Sequence, residues 1–133
     1  MASRQLEKKL DLIFSKYIRL RDSDNGVFFC CSCGALKPEQ QMDAGHFISR
    51  KWRNTRWRED NVHGQCRADN RFGNGEAAGY AMFMIKKYGL EHVEMLHQLS
   101  RKTAKFTDSE LEDMIKKYKA LVKEMSDAQK TIE

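Results

Sequence analysis

The stretch "CCSCG" at residues 30–34 constrains this chain more than any other feature. Cys30 and Cys33 form a C-x-x-C pair, a tight turn that aims two thiolates at one centre. Of the four cysteines, only Cys66 lies outside residues 30–33. Three positions after it, where a second C-x-x-C would place a thiol, stands Asp69. Zinc favours four ligands in a tetrahedron, supplied by such turns in pairs, so a structural Zn²⁺ held by Cys30, Cys33, Cys66 and Asp69 is expected. A carboxylate oxygen binds zinc at about 2.0–2.2 Å, against about 2.3 Å for a thiolate. As a harder, shorter ligand it predicts a weaker site than four thiolates would make. His63, three residues before Cys66, is the other candidate fourth ligand; its alternative role is hydrogen bonding beside the knuckle. Cys31 should point away from the centre as a small buried residue. If no metal binds, these cysteines are simply buried thiols.

Composition narrows the setting. With 41% hydrophobic and 32% charged residues in 133 positions, the chain reads as a single soluble domain over residues 1–133. No apolar run approaches the roughly 20 residues of a membrane span, and no membrane partner is expected. The opening "MASRQLEKKLDLIF" lacks the apolar stretch of a signal peptide. A reducing intracellular location follows as an expectation, and it favours metal ligation over disulfides.

The net charge of +5 suits a polyanionic partner, and its distribution is more informative. "RKWRNTRWR" (50–58) packs five basic residues and both tryptophans into one stretch. Arg50, Lys51, Arg53, Arg56 and Arg58 are candidate phosphate contacts, and Trp52 and Trp57 candidate stacking residues. A solvated loop with one tryptophan in the core is the competing reading, and the two are compatible.

Periodicity predicts a mostly helical α+β protein. Leu6, Leu10, Ile13, Phe14, Tyr17 and Ile18 recur at helical spacing, giving a helix within residues 1–24 that stops at "DSDNG" (22–26). "VFFC" (27–30) and "MDAGHFIS" (42–49) are strand candidates, followed by a basic loop over 50–60. Residues 27–75 form the expected core and 76–133 the C-terminal helices. A helix over 76–89 should end at Gly89, and "EHVEMLHQLSRK" makes a shorter one. Thr107 and Glu110 match a capping box for the last helix. Its stripe of Leu111, Met114, Ile115, Tyr118, Leu121, Val122 and Met125 would serve as core or as a dimer seam. The tail after Ser126 is expected to fray.

His46 in "DAGHF", Asn61 in "EDNVH" and Asn70, framed by the cysteine pairs, form an ordered set that resembles the HNH nucleases and their ββα-metal core. "FSKYIRLRD" (14–22), "CCSCG" (30–34), "DAGHF" (43–47), "NVHGQC" (61–66), Asn70 and "GN" (73–74) resemble the phage NinG/Rap family of recombination endonucleases. The resemblance covers roughly residues 1 to 90. The family's second knuckle is usually C-x-x-C-N, whereas this chain reads Cys66-Arg67-Ala68-Asp69-Asn70.

The resemblance implies a small zinc-knuckle, HNH-like core flanked by an N-terminal helix and C-terminal helices. It also implies an endonuclease for branched DNA, such as four-way junctions and displacement loops, in the cytoplasm of a phage-infected or prophage-carrying bacterial host. In that role His46 would deprotonate the attacking water, and Mg²⁺ or Mn²⁺ would stabilise the leaving 3′ oxygen, giving a 5′-phosphate and a 3′-hydroxyl. Asn70 matches the metal ligand at the helix position, with Asp43 the candidate for the ion's negative ligand. In many HNH nucleases a ligand immediately precedes the base; here that position is Gly45. Asn61 would hold the loop or His46 through side-chain to backbone bonds. Asp43 could equally pair with a nearby arginine, and His92 and His97 carry no signal. A homodimer and recombination proteins are the further partners implied. The competing classes are a non-catalytic zinc-knuckle module that binds DNA or a recombination protein, and an RNA-binding knuckle protein.

Overall fold

The computed structural model describes residues 3–73 and 76–132. Asn74 of the "GN" motif lies outside the described residues. Among the described residues are five α-helices and two antiparallel two-stranded sheets, so the fold is mostly helical α+β.

Helix α1 (Ser3–Asp22) buries Leu6, Leu10, Phe14 and Ile18 on one face. It ends where Asn25 and Gly26 take positive φ values of 52° and 79°, a backbone state that Gly and Asn tolerate best. That reversal starts β1 (Val27–Phe29), which pairs with β2 (Leu36–Pro38) around the knuckle turn. A 3-10 turn over Glu39–Gln41 leads to β3 (Met42–His46), paired with β4 (Val62–Cys66) so that His46 faces Val62 and Asp43 faces Gln65. Between them lies the basic segment, which contains a single helical turn, α2 (Arg53–Arg56). A π-helical turn, Ala68–Phe72, follows β4, and then come α3 (Ala77–Tyr88), α4 (Leu90–Ser100) and α5 (Asp108–Ile132).

Sequence periodicity did not disclose β2, β4 or α2. β4 escapes because all five of its residues are buried, so it lacks the alternation that marks a half-exposed strand. The second strand candidate is shorter than expected, ending at His46 rather than Ser49. Gly89, with φ of 92°, terminates α3 as its position suggested, and the Glu110 N–H bonds the Thr107 hydroxyl at 3.1 Å to cap α5. Beyond Ser126 the chain stays helical to Ile132, where fraying was expected.

The α5 stripe is core. Leu111, Ile115 and Tyr118 pack with Leu6, Leu10, Phe14 and Ile18 of α1 in one buried cluster that also holds Trp57 and Val62. Phe14 and Tyr118 meet edge to face, ring centroids 4.9 Å apart. The stripe offered as a dimer seam is therefore occupied by α1. A second cluster joins Cys31 and Ile48 to Tyr80, Met84, Val93 and Leu96.

Polar bonds lock the second sheet to its surroundings. Arg21 donates to the carbonyls of Glu59 and Val62 at 2.9 and 2.8 Å, and Asp22 accepts the Gly64 N–H at 2.8 Å. The Tyr80 hydroxyl donates to the Gly45 carbonyl at 2.6 Å. It therefore accepts the His63 Nδ1–H at 3.0 Å, and His63 Nε2 accepts the Tyr88 hydroxyl at 2.8 Å. Burial, with Arg21 nearby, drives His63 down from 6.5 to about 4.

His63 is neutral in the fold and protonates in the unfolded chain below pH 6.5. Unfolded chains thus bind more protons between pH 4 and 6.5, and stability should fall as pH drops through that window, by about 3 kcal/mol. Urea midpoints taken at pH 7 and pH 4.5 check this, and His63→Gln should show a markedly flatter dependence.

Candidate metal centre and histidine cavity

Two adjacent sites are built on the same short elements. The first is the cysteine cluster. The knuckle turn is shaped by its own backbone: Gly34, at φ of 75°, donates its N–H to the Cys30 carbonyl at 2.8 Å, and Cys30 donates to Ala35 at 3.0 Å. Backbone N–H groups of Cys66 and Cys33 approach the Cys30 sulfur at 3.3 and 3.5 Å. Ligand atoms of Cys30, Cys33, Cys66 and Asp69 all lie within 4.8 Å of one another. Cys30 Sγ stands 3.8 Å from Asp69 Oδ2. Donors around a tetrahedral zinc with bonds of about 2.0–2.3 Å are separated by roughly 3.5–3.8 Å, so the donor set fits a metal ion of this size.

The carboxylate is aimed by a relay that sequence reasoning missed. Gln65 Nε2 donates to the Ser32 hydroxyl at 2.9 Å, and Ser32 donates to Asp69 Oδ2 at 2.7 Å. Such outer bonds fix the orientation of a metal-binding carboxylate. Burial opposes ionisation of Cys30, but the backbone N–H groups of Cys66, Cys33 and Ser32 that point at its sulfur lower its pKa to about 7. Burial raises that of Cys66. Cys31 faces the Tyr80 and Met84 cluster instead, and burial pushes its thiol up. His63, bonded to Tyr80 and Tyr88, is no fourth ligand in this arrangement. Helix α3 seals the knuckle: a Cβ on Gly79 would come within 2.2 Å of the Ser32 carbonyl oxygen.

The second site is a cavity of about 440 Å³ lined by Asp11, Phe14, Ala44, His46, Arg50 and Asn70, among others. His46 Nε2 lies 2.9 Å from the Arg56 carbonyl oxygen. A carbonyl only accepts, so Nε2 carries the proton and Nδ1 keeps its lone pair. Burial lowers the His46 pKa below 6.5, which holds the ring neutral at pH 7. Asn61 is fully buried and works on the backbone: Oδ1 accepts from Ile48 N at 2.9 Å, while Nδ2 donates to the carbonyls of Ile48 and Thr55 at 3.1 and 2.9 Å. It ties the chain after His46 to the turn that presents Arg56.

Asp43 lies on the opposite strand face from His46, as the alternation of side chains requires. Its carboxylate accepts from Asn70 Nδ2 at 3.0 Å and from Arg71 at 2.9 Å, and these partners hold it ionised against the opposing effect of burial. Asn70 therefore bridges Asp43 to the cavity. Gly45 has a steric explanation, since a Cβ there would fall 2.1 Å from Gln65 Oε1.

The basic segment needs the largest correction. Trp57 is 5% exposed, packs against Phe106 and donates Nε1–H to Asp11 at 2.9 Å, so it offers no face to a base. Arg56 is clamped by Asp11, Arg53 pairs with Glu7 and Arg58 with Asp60. Arg50 also reaches Asp11, from an exposed position; Lys51 is exposed, whereas Trp52 is half-buried against the Tyr80 cluster. Glu7 and Asp11, one helical turn apart on α1, were the missed partners. Two acids on the face that also buries Leu6 and Leu10 were the available signal.

A family model described as "NinG: Bacteriophage Lambda NinG protein" matches residues 2–128. Protein ninG of Salmonella phage P22 is 28% identical over 122 residues, covering 91% of this chain and 58% of the relative. Protein ninG of Escherichia phage lambda is 33% identical over 88 residues, covering 65% and 41%. Protein ninG of Escherichia phage 933W is 29% identical over 119 residues, covering 89% and 57%. The chain thus spans about half the length of these relatives. No solved structure matches it.

In a zinc-loaded cluster, a hard carboxylate beside three thiolates makes Asp69 the weak candidate ligand. Asp69→Cys should slow zinc loss to a chelator, followed with a colorimetric zinc indicator, and Cys66→Ser should speed it. Unchanged release from Asp69→Cys would remove Asp69 from the ligand set.

Proposed function

The chain belongs to the bacteriophage lambda NinG family, and from that premise we propose that it is a metal-dependent, structure-selective DNA endonuclease of the HNH type. One observation carries this reading. A neutral histidine, its Nε2–H committed to a backbone carbonyl and its Nδ1 lone pair unprotonated, lines a cavity together with Asn70. That is the state a general base needs near neutral pH. A purely structural zinc module gains nothing from it.

In this reading β3, β4 and the turn after Cys66 supply the ββα-metal core, with the Cys/Asp cluster holding zinc as a structural ion. His46 Nδ1 takes the proton from the attacking water, and the Arg56 carbonyl steadies the imidazolium that forms. Asn61 is the positioning residue for that carbonyl. Asn70, through its amide oxygen, and Asp43 would hold Mg²⁺ or Mn²⁺. That ion, when bound, supplies positive charge to the scissile phosphate and the leaving 3′ oxygen. The pairing of Arg71 with Asp43 does not bar this, because Arg71 is solvent-exposed and its ion pair is readily displaced. Arg50, at the cavity rim, suits a phosphate contact. Contacts of that kind read backbone shape rather than sequence, which suits branched recombination intermediates. No helix among the described residues is long and apolar enough to cross a membrane.

The test is cleavage of a labelled four-way junction beside linear duplex, with Mg²⁺ or Mn²⁺. His46→Ala should lower the rate by about 10²–10⁴-fold while leaving junction binding intact. The rate should rise with pH as His46 loses its proton, with a midpoint below 6.5 and a plateau above it. Binding without cutting in both proteins would favour a zinc-knuckle module that binds DNA or a recombination protein.

A further inference from the structure

Most arginines of the basic segment are spent on internal ion pairs, yet unpaired cations gather beside them. Trp52 is bracketed by two: Lys51 Nζ lies 5.1 Å and the Arg101 guanidinium carbon 4.1 Å from the centre of its ring system. Lys102 adjoins them. Asn54 Nδ2 donates to the carbonyls of Leu99 and Lys102 at 3.1 and 3.0 Å, pinning the end of α4 onto α2. Lys51, Arg101 and Lys102 are exposed. Among the described residues none of the three has a carboxylate within ion-pair distance.

A cation at the end of α4 complements the helix dipole. That alone does not account for one cation from each of two distant segments held at a partly exposed tryptophan. Lys51 directly follows Arg50, which lines the His46 cavity. A row of positive charge therefore leaves the cavity rim and crosses from the segment after β3 to the end of α4.

We propose that Lys51, Trp52, Arg101 and Lys102 form a track for a nucleic-acid backbone that continues from the His46 cavity, with Arg101 and Lys102 as phosphate contacts. The proposal rests on the nuclease reading for the identity of the polyanion. Nucleic acid suits the row better than an acidic protein, because regularly repeated phosphates match cations that two segments bring together beside one indole.

Binding of a fluorescent four-way junction, measured by anisotropy over a range of salt without Mg²⁺ or Mn²⁺, tests it. The proteins are the unaltered chain, Lys102→Gln, Arg101→Gln/Lys102→Gln, and Lys116→Gln/Lys119→Gln on the exposed face of α5 as a charge-matched control. The slope of log K against log salt should fall by about 0.9 for the single variant and about twice that for the double, with the control unchanged. Unchanged slopes in both track variants, or an equal fall in the control, overturn the track alone. Failure of the unaltered chain to bind any DNA overturns the track and the nuclease reading together. Should the double variant melt early, Lys102→Gln decides, since the Lys102 backbone rather than its side chain makes the contact with Asn54.

Discussion

Two hairpins with strands of three and five residues cannot hold themselves together in water. What lets them act as a unit is the meeting of the knuckle turn with the end of β4 at Cys30, Cys33, Cys66 and Asp69. The join is partly preformed by the backbone, since Cys31 N bonds the Gly64 carbonyl at 3.0 Å and Cys66 N approaches the Cys30 sulfur. A metal ion would add its binding energy to four donors already gathered within 4.8 Å of one another. Phe28 and Met42 fill the apolar space beside it. Helix α3 then closes over the knuckle, which only a residue without a side chain at position 79 permits.

The second organising force is charge turned inward. Asp11 receives Arg50, Arg56 and the Trp57 indole, so one carboxylate on α1 gathers three groups of the basic segment. Its effect reaches His46 indirectly. Clamping the Arg56 side chain fixes the peptide whose carbonyl accepts the hydrogen bond from His46 Nε2–H, while Asn61 fixes the same turn through Thr55. The histidine is thus oriented by main-chain geometry that two separate side chains hold, and its tautomer follows.

Much of this was legible in the sequence. The helices announced themselves through apolar periodicity and terminal signals, and the ligand spacing located the cysteine cluster. The strands were harder, because β2 is too short to show a pattern and β4 is buried throughout. The basic segment misled for a different reason. A run of arginines looks the same whether it faces phosphate or carboxylate, and its partners Glu7, Asp11 and Asp60 lie elsewhere in the chain or were read as part of a solvated loop. Ser32 and Gln65 were invisible, since an outer bond to a ligand leaves no spacing rule. Asn61, by contrast, performs the backbone tether its motif suggested.

Asp69 and Asn70 are consecutive, yet they serve different sites: one belongs to the cysteine cluster and the other lines the His46 cavity. The helical turn over Ala68–Phe72 allows this, because consecutive side chains on a helix do not share a face. The residue replacing the usual thiol therefore sits directly beside the residue that faces the cavity. A carboxylate at position 69 reaches the cluster with help from Ser32, and any shift needed to optimise a metal bond moves the turn that sets Asn70 against Asp43. The candidate metal cluster and the cavity thus share one turn of chain, with Asp69 facing the first and Asn70 the second.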